Sequence, residues 1–171
     1  MRLRIESAIQ IHEAAHYVIG EVRGLRATAI HVTPTCFVKW EDIRRSDLIK
    51  DDALTMIAAG EAANLKQLRL LGEVGAKAEA YARKGAEDDI ALVRSALVGT
   101  TFAGSDRFYL RGLESAKAEV YDDRVWDAIL QVAEAVKAAM SQGLEQLDLS
   151  GIRPILDTLR SVSTDTPDYA D

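Results

Sequence analysis

A mainly α-helical domain with a small β-hairpin or sheet is the fold this sequence predicts, on three observations. Apolar residues fill 48% of the 171 positions, with alanine and leucine prominent, a composition that favours helix over strand. Only three prolines interrupt the chain, and its long apolar patterns recur at helical spacing. Two short runs alone, ATAIHVT and CFVKW, carry the β-branched and aromatic content of strands. The length suits one domain with its own core, placed at 1–162, followed by a polar acidic tail at 163–171 that has little to bury.

The first helix is expected from Ile5 to Val22. One apolar stripe runs through Ile5, Ile9, His12, His16 and Ile19, a second through Ile11, Ala15, Val18 and Val22, and Glu6, Gln10, Glu13 and Tyr17 form a narrower polar edge. A helix that is apolar on two sides belongs at the centre of a fold, and Gly24 is a natural stop. A hairpin of about 28–33 and 36–40 follows, divided at Pro34 and Thr35. Asp51 or Asp52 can cap the next helix, to about residue 71, whose alanines and Gly60 permit close approach of a neighbour. Residues 73–84 read as a charged connection. The segment from Gly85 then reads as a helix with acids in its first turn and Ala86, Ile90, Val93 and Leu97 on its inner face. Residues 99–112 have loop composition. The strongest period, over 123–140, places Val125, Ile129, Val132, Val136 and Met140 on one side, ending at Gly143. A short helix over 152–162 can take Pro154 in its first turn.

Charge and cysteine content narrow the function. A net charge of -6 gives no clustered basic surface for a nucleic-acid backbone, so no nucleic-acid partner is expected. The single cysteine, Cys36, can form no intrachain disulfide or thiolate cage, which suits a reducing compartment, and it reads as a small packed residue more than a nucleophile. No apolar run reaches the roughly 20 residues that span a bilayer, and MRLRIES leads into a charged pattern unlike a signal peptide. The expectation is a cytoplasmic protein without a membrane partner.

The chemistry lies in His12-Glu13-Ala14-Ala15-His16, an HExxH pattern. On a helix, residues i and i+4 differ by about 40° in angle and 6 Å along the axis, so both imidazoles can meet one ion. Glu13 stands about 100° around from His12 and can reach water beside that ion without ligating it, as a general base requires. Neutral imidazole binds zinc well, and zinc brings the pKa of water towards 7. A third ligand is needed, with His31, Glu61, Asp88 and Asp89 as candidates. Asp89 is favoured because it shares a helical face with Ala86, Val93 and Ala96, where an unpaired charge is costly. Asp88 fits helix-dipole stabilisation better. Of the remaining polar residues, His31 reads as cover for the hairpin more than as a substrate contact. Glu61 suits a hydrogen bond to a ligand imidazole and an ion pair with a Lys or Arg equally well. Trp40 and Trp126 read as packing.

In order along the chain, HEAAH, GEAAN and GAEDDI resemble motifs of the proteolytic domain of FtsH-type zinc metalloproteases, over about 5–140. The resemblance implies a helical zinc metallopeptidase domain with His12, His16 and Asp89 as metal ligands and Glu13 as general base. Ala15 stands where that family has glycine, Asn64 and Leu65 where it has two acids, and Asp88 where it has asparagine. No G-x-x-x-x-G-K-[ST] phosphate loop occurs, so an ATP-driven unfoldase is not encoded here and folded substrates would need a separate unfoldase or adaptor.

Three functions follow as expectations. The first is zinc-dependent endopeptidase activity on unfolded or flexible polypeptides. The second is a zinc-bearing interaction module without proteolysis, motivated by the missing ATPase and the altered acidic pair. The third is a regulatory peptidase of the ImmA/IrrE type, which also carries HExxH on a helix and which the identity of the third ligand separates from the first. An extended peptide is expected to add along the hairpin at 28–33. Oligomeric state is left open.

Overall fold

The helix expected over 5–22 forms as α1, Ile5–Val22, in a computed structural model that describes residues 5–160. The tail at 163–171 and the last two residues of the helix expected over 152–162 lie outside the described residues. Two faces of α1 are covered, one by α2 (Asp51–Leu70) and the other by α6 (Asp123–Ser141). Ile11, Ala14, Ala15, Val18 and Ile19 are buried between them, the arrangement its two apolar stripes require. The expected polar edge is different: Gln10 and Tyr17 are buried, whereas Ile9 and Val22 are exposed. Gln10 is enclosed because α6 crosses over it, with its side-chain amide 3.5 Å from the Met140 sulfur, while Ile9 opens onto a cleft.

The hairpin forms from β1, Ala27–His31, and β2, Phe37–Trp40, in register Ile30 with Val38 and His31 with Phe37. A third strand, β3 (Gln146–Leu147), pairs with the other side of β1 through Ile30 and His31, giving the order β2-β1-β3. Two residues carry no readable period, so this strand has no sequence signal. Its presence corrects one expectation. β1 is hydrogen-bonded on both sides and cannot accept a peptide along 28–33, and the outer edge of β2 is left for that purpose.

α2 begins without a side-chain cap. Lys50 occupies the cap position, and Asp51 and Asp52 lie inside the first turn, acting on the helix dipole instead. Residues 73–84, expected as a connection, contain most of α3, Ala76–Gly85, which turns only Ala78 and Ala82 inwards. α4, Glu87–Ala96, buries Ile90 and Val93, with Ala86 and Leu97 buried at its ends. The expected loop at 99–112 ends early, because α5 (Arg107–Val120) starts inside it and buries Tyr109, Leu113, Ala116 and Val120. α5 packs along α2 closely enough that Gly112 faces the Leu54 backbone. α6 follows the expected bounds and is capped by the Asp122 carboxylate, which accepts from the Arg124 and Val125 amides. α7, Leu149–Arg160, starts three residues before the expected position, with Asp148 accepting from the Ser150 amide at 2.9 Å, so Pro154 sits in its second turn. No helix among the described residues is long and apolar enough to cross a membrane.

Candidate metal centre

α1 supplies His12 and His16 one turn apart, and α4 crosses so that Asp89 faces both. Asp89 Oδ2 lies 3.2 Å from His12 Nε2 and 3.5 Å from His16 Nε2. The three groups offer ligand atoms within 4.8 Å of one another. Two ligands of a tetrahedral zinc at 2.0–2.1 Å are about 3.3 Å apart, so both carboxylate–imidazole distances match the edges of such a site. The side chains are 12% (His12), 8% (His16) and 19% (Asp89) exposed, enough enclosure to make an uncompensated charge costly.

The surrounding groups favour a cation. His16 Nδ1–H donates to the Met56 carbonyl at 2.7 Å, so the neutral ring presents a bare Nε2 lone pair towards Asp89. Asp89 Oδ2 is itself buried without a hydrogen-bond partner. Two electron-rich atoms thus face each other, and either a proton on His16 or a metal ion resolves the conflict. Asn64 on α2 stands 3.2 Å from His12 Nδ1. Gly60, one turn earlier on α2, lies flat against the His12 ring: a Cβ there would be 2.5 Å from both ring nitrogens. The close approach expected of Gly60 is therefore made to a proposed ligand.

Glu13 lies on the wall of the cleft that contains the cluster. Burial raises its pKa, while His16 and His12 oppose the rise and the Val38 amide of β2 adds to their effect. Glu13 is therefore held against β2. Burial alone would lower the pKa of His16, but the Asp89 charge beside it prevails and pushes it up to about 9. Asp89 also resists its own burial, since the two imidazoles hold its carboxyl well below the usual range. Cys36 lines the same cleft, where burial and then Glu13 push its thiol up to about 12. It stays protonated and is no nucleophile near neutrality.

A stability effect follows for the metal-free protein. A folded pKa above the unfolded value of about 6.5 means that the His16 contribution is fully present below that value and is lost as pH rises towards 9. Urea denaturation in chelator is expected to show stability falling between pH 6.5 and 9. A flat or rising profile would contradict the His16–Asp89 pairing.

The other candidates lie apart from the cluster. His31 stacks on Phe37 with ring centroids 4.4 Å apart and covers the sheet, as expected. Asp88 lines the cleft rim and is exposed. Glu61 meets no imidazole: it pairs with Arg83 Nε at 3.3 Å and accepts from the Tyr109 hydroxyl at 2.9 Å. Glu61 and Tyr109 are buried and Arg83 is half-exposed, and together they join α2, α3 and α5. Trp126 packs against the Lys66 ammonium, and Trp40 lies over Gly20, whose added Cβ would overlap the indole ring. Sequence reasoning gave no role to Asn64, Arg83 or Tyr109. Asn64 alone had a readable signal, an amide among alanines on the inner face of α2.

No protein-family model, curated protein or solved structure matches this chain. The functional reading therefore stands on the chemistry of the site.

Proposed function

We propose that the chain is a zinc-dependent metalloendopeptidase of FtsH protease type, cleaving unfolded or flexible polypeptides. The observation that carries this reading is the convergence of His12, His16 and Asp89 from two helices, with Glu13 on the wall of the same open cleft. His12, His16 and Asp89 would hold the ion. A bound zinc ion polarises a peptide carbonyl and acidifies water. Glu13 takes a proton from the attacking water as its oxygen bonds to the carbonyl carbon, and passes the proton to the amine nitrogen as the C–N bond breaks.

The cleft, of about 870 Å³, is walled by α1, β2 and α4 and lined largely by apolar side chains such as Val38, Ile43 and Leu92. β2 pairs on one side only among the described residues, so an extended peptide can add along residues 37–40 and pass beside Glu13. Such a peptide must already be unfolded, and folded substrates would require a separate unfoldase or adaptor. The single cysteine suits a cytoplasmic setting.

Metal analysis and cleavage of an unfolded protein, measured on the whole chain, test this reading. Wild type is expected to carry one zinc and to cleave. Asp89→Ala should lose the metal, and Glu13→Gln should keep the metal while losing at least about a hundredfold in turnover, the general-base contribution. Undiminished cleavage by Glu13→Gln would sink the mechanism, and a zinc-loaded wild type that cleaves nothing would favour an interaction module.

A further inference from the structure

The two histidines of the cluster are oriented differently. His16 Nδ1–H donates to a backbone carbonyl, that of Met56. This acceptor cannot change character, so the His16 tautomer is fixed. His12 Nδ1 instead faces the side-chain amide of Asn64 at 3.2 Å. Asn64 is 6% exposed, and its Oδ1 is buried without a hydrogen-bond partner. A primary amide offers a donor on one side and an acceptor on the other, and half a turn about its last bond exchanges them.

We propose that Asn64 is a two-position switch for the His12 tautomer, and that its amide turns over when the metal enters. This inference rests on the metal centre proposed above. With Nδ2 towards the ring, Nδ1 is the acceptor, so Nε2 carries the proton and sits 3.2 Å from the Asp89 carboxylate. That is the metal-free arrangement. With Oδ1 towards the ring, Nδ1–H donates to it, Nε2 presents its lone pair to the ion, and the partnerless oxygen gains a hydrogen bond. The ring loses a proton at Nε2 and gains one at Nδ1, so its charge is unchanged. A carboxylate at position 64 only accepts and would favour the second state alone, whereas the amide satisfies His12 in both. Asn64 is thus a positioning residue that makes the metal-free site stable and the metal exchangeable.

The test combines zinc affinity, measured by chelator competition, with imidazole ¹⁵N shifts that report the tautomer. Wild type is expected to show His12 protonated on Nε2 without zinc and on Nδ1 with it. Asn64→Leu should weaken zinc binding about 10- to 100-fold, the usual cost of removing a partner that orients a ligand. Asn64→Asp should retain zinc but hold the Nδ1–H form even in chelator. A His12 tautomer that is the same with and without zinc in wild type, or equal zinc affinity in Asn64→Leu, would overturn the switch and leave the metal centre standing. A wild type that binds no zinc would overturn both.

Discussion

Replacing Gly60 with alanine is expected to disable the proposed metal centre while leaving the helices in place. In an ordinary helix interior this change is stabilising by up to about 1 kcal/mol, because alanine restricts the unfolded chain and favours helix. Here the new methyl would overlap the His12 imidazole, lying 2.5 Å from both ring nitrogens where contact needs well over 3 Å. The α2 backbone is fixed by packing on α1 and α5, so the ring is what yields. It must leave the position beside Asp89, and the proposed site falls from three ligands to two. Zinc affinity should drop by more than about 100-fold, beyond the 10- to 100-fold typical of groups that only orient a ligand. Far-ultraviolet circular dichroism should be unchanged. Zinc affinity within threefold of wild type would show that His12 binds no metal from this rotamer.

The largest loss of stability is expected from Gly112→Ala. Its Cβ would meet the backbone of Leu54, with the carbonyl carbon 2.6 Å and Cβ 2.9 Å away. No rotamer change relieves a clash with backbone, so α5 and α2 must separate along the most extensive helix–helix contact in the molecule. Overpacking of this kind costs about 1–3 kcal/mol and occasionally more. Because the methyl meets a helix axis, the upper end of that range applies even after the gain in helix propensity. Gly151 is the matched comparison: it lies in α7, is exposed, and has nothing within 4 Å of an added Cβ. Gly151→Ala should be neutral or stabilise by up to about 1 kcal/mol. Chemical denaturation of the two variants reads the contrast, and equal midpoints would show that α5 does not depend on the Gly112 contact.

Legibility in the sequence tracked how much apolar surface each segment commits. α1, α2, α4 and α6 were readable because repeated apolar positions set their period, and the inner face of α4 placed Asp89 correctly opposite the histidines. α3 was missed because it buries two alanines and exposes nearly everything else, which gives charge without amphipathic contrast. α5 was obscured by the Gly, Ser and Thr content just before it, although Tyr109, Leu113, Ala116 and Val120 recur at helical spacing. β3 is too short for any period. At the site, the HExxH spacing indicated the two histidines and Glu13 beside them, but nothing in a one-dimensional pattern pairs Glu61 with Arg83 and Tyr109, because these partners belong to three helices.

The proposed ligands also arrive at different times. His12 and His16 lie near the start of the chain, whereas Asp89 is made only after α2 and α3. At roughly 5–20 residues per second of synthesis, the histidine pair waits several seconds for its carboxylate. Its flanking walls are incomplete for longer, because α6, which covers α1, is translated later still. A nascent chain therefore presents two imidazoles without the third proposed ligand or the enclosure that would retain an ion, and acquisition of the proposed metal would be the closing step of maturation.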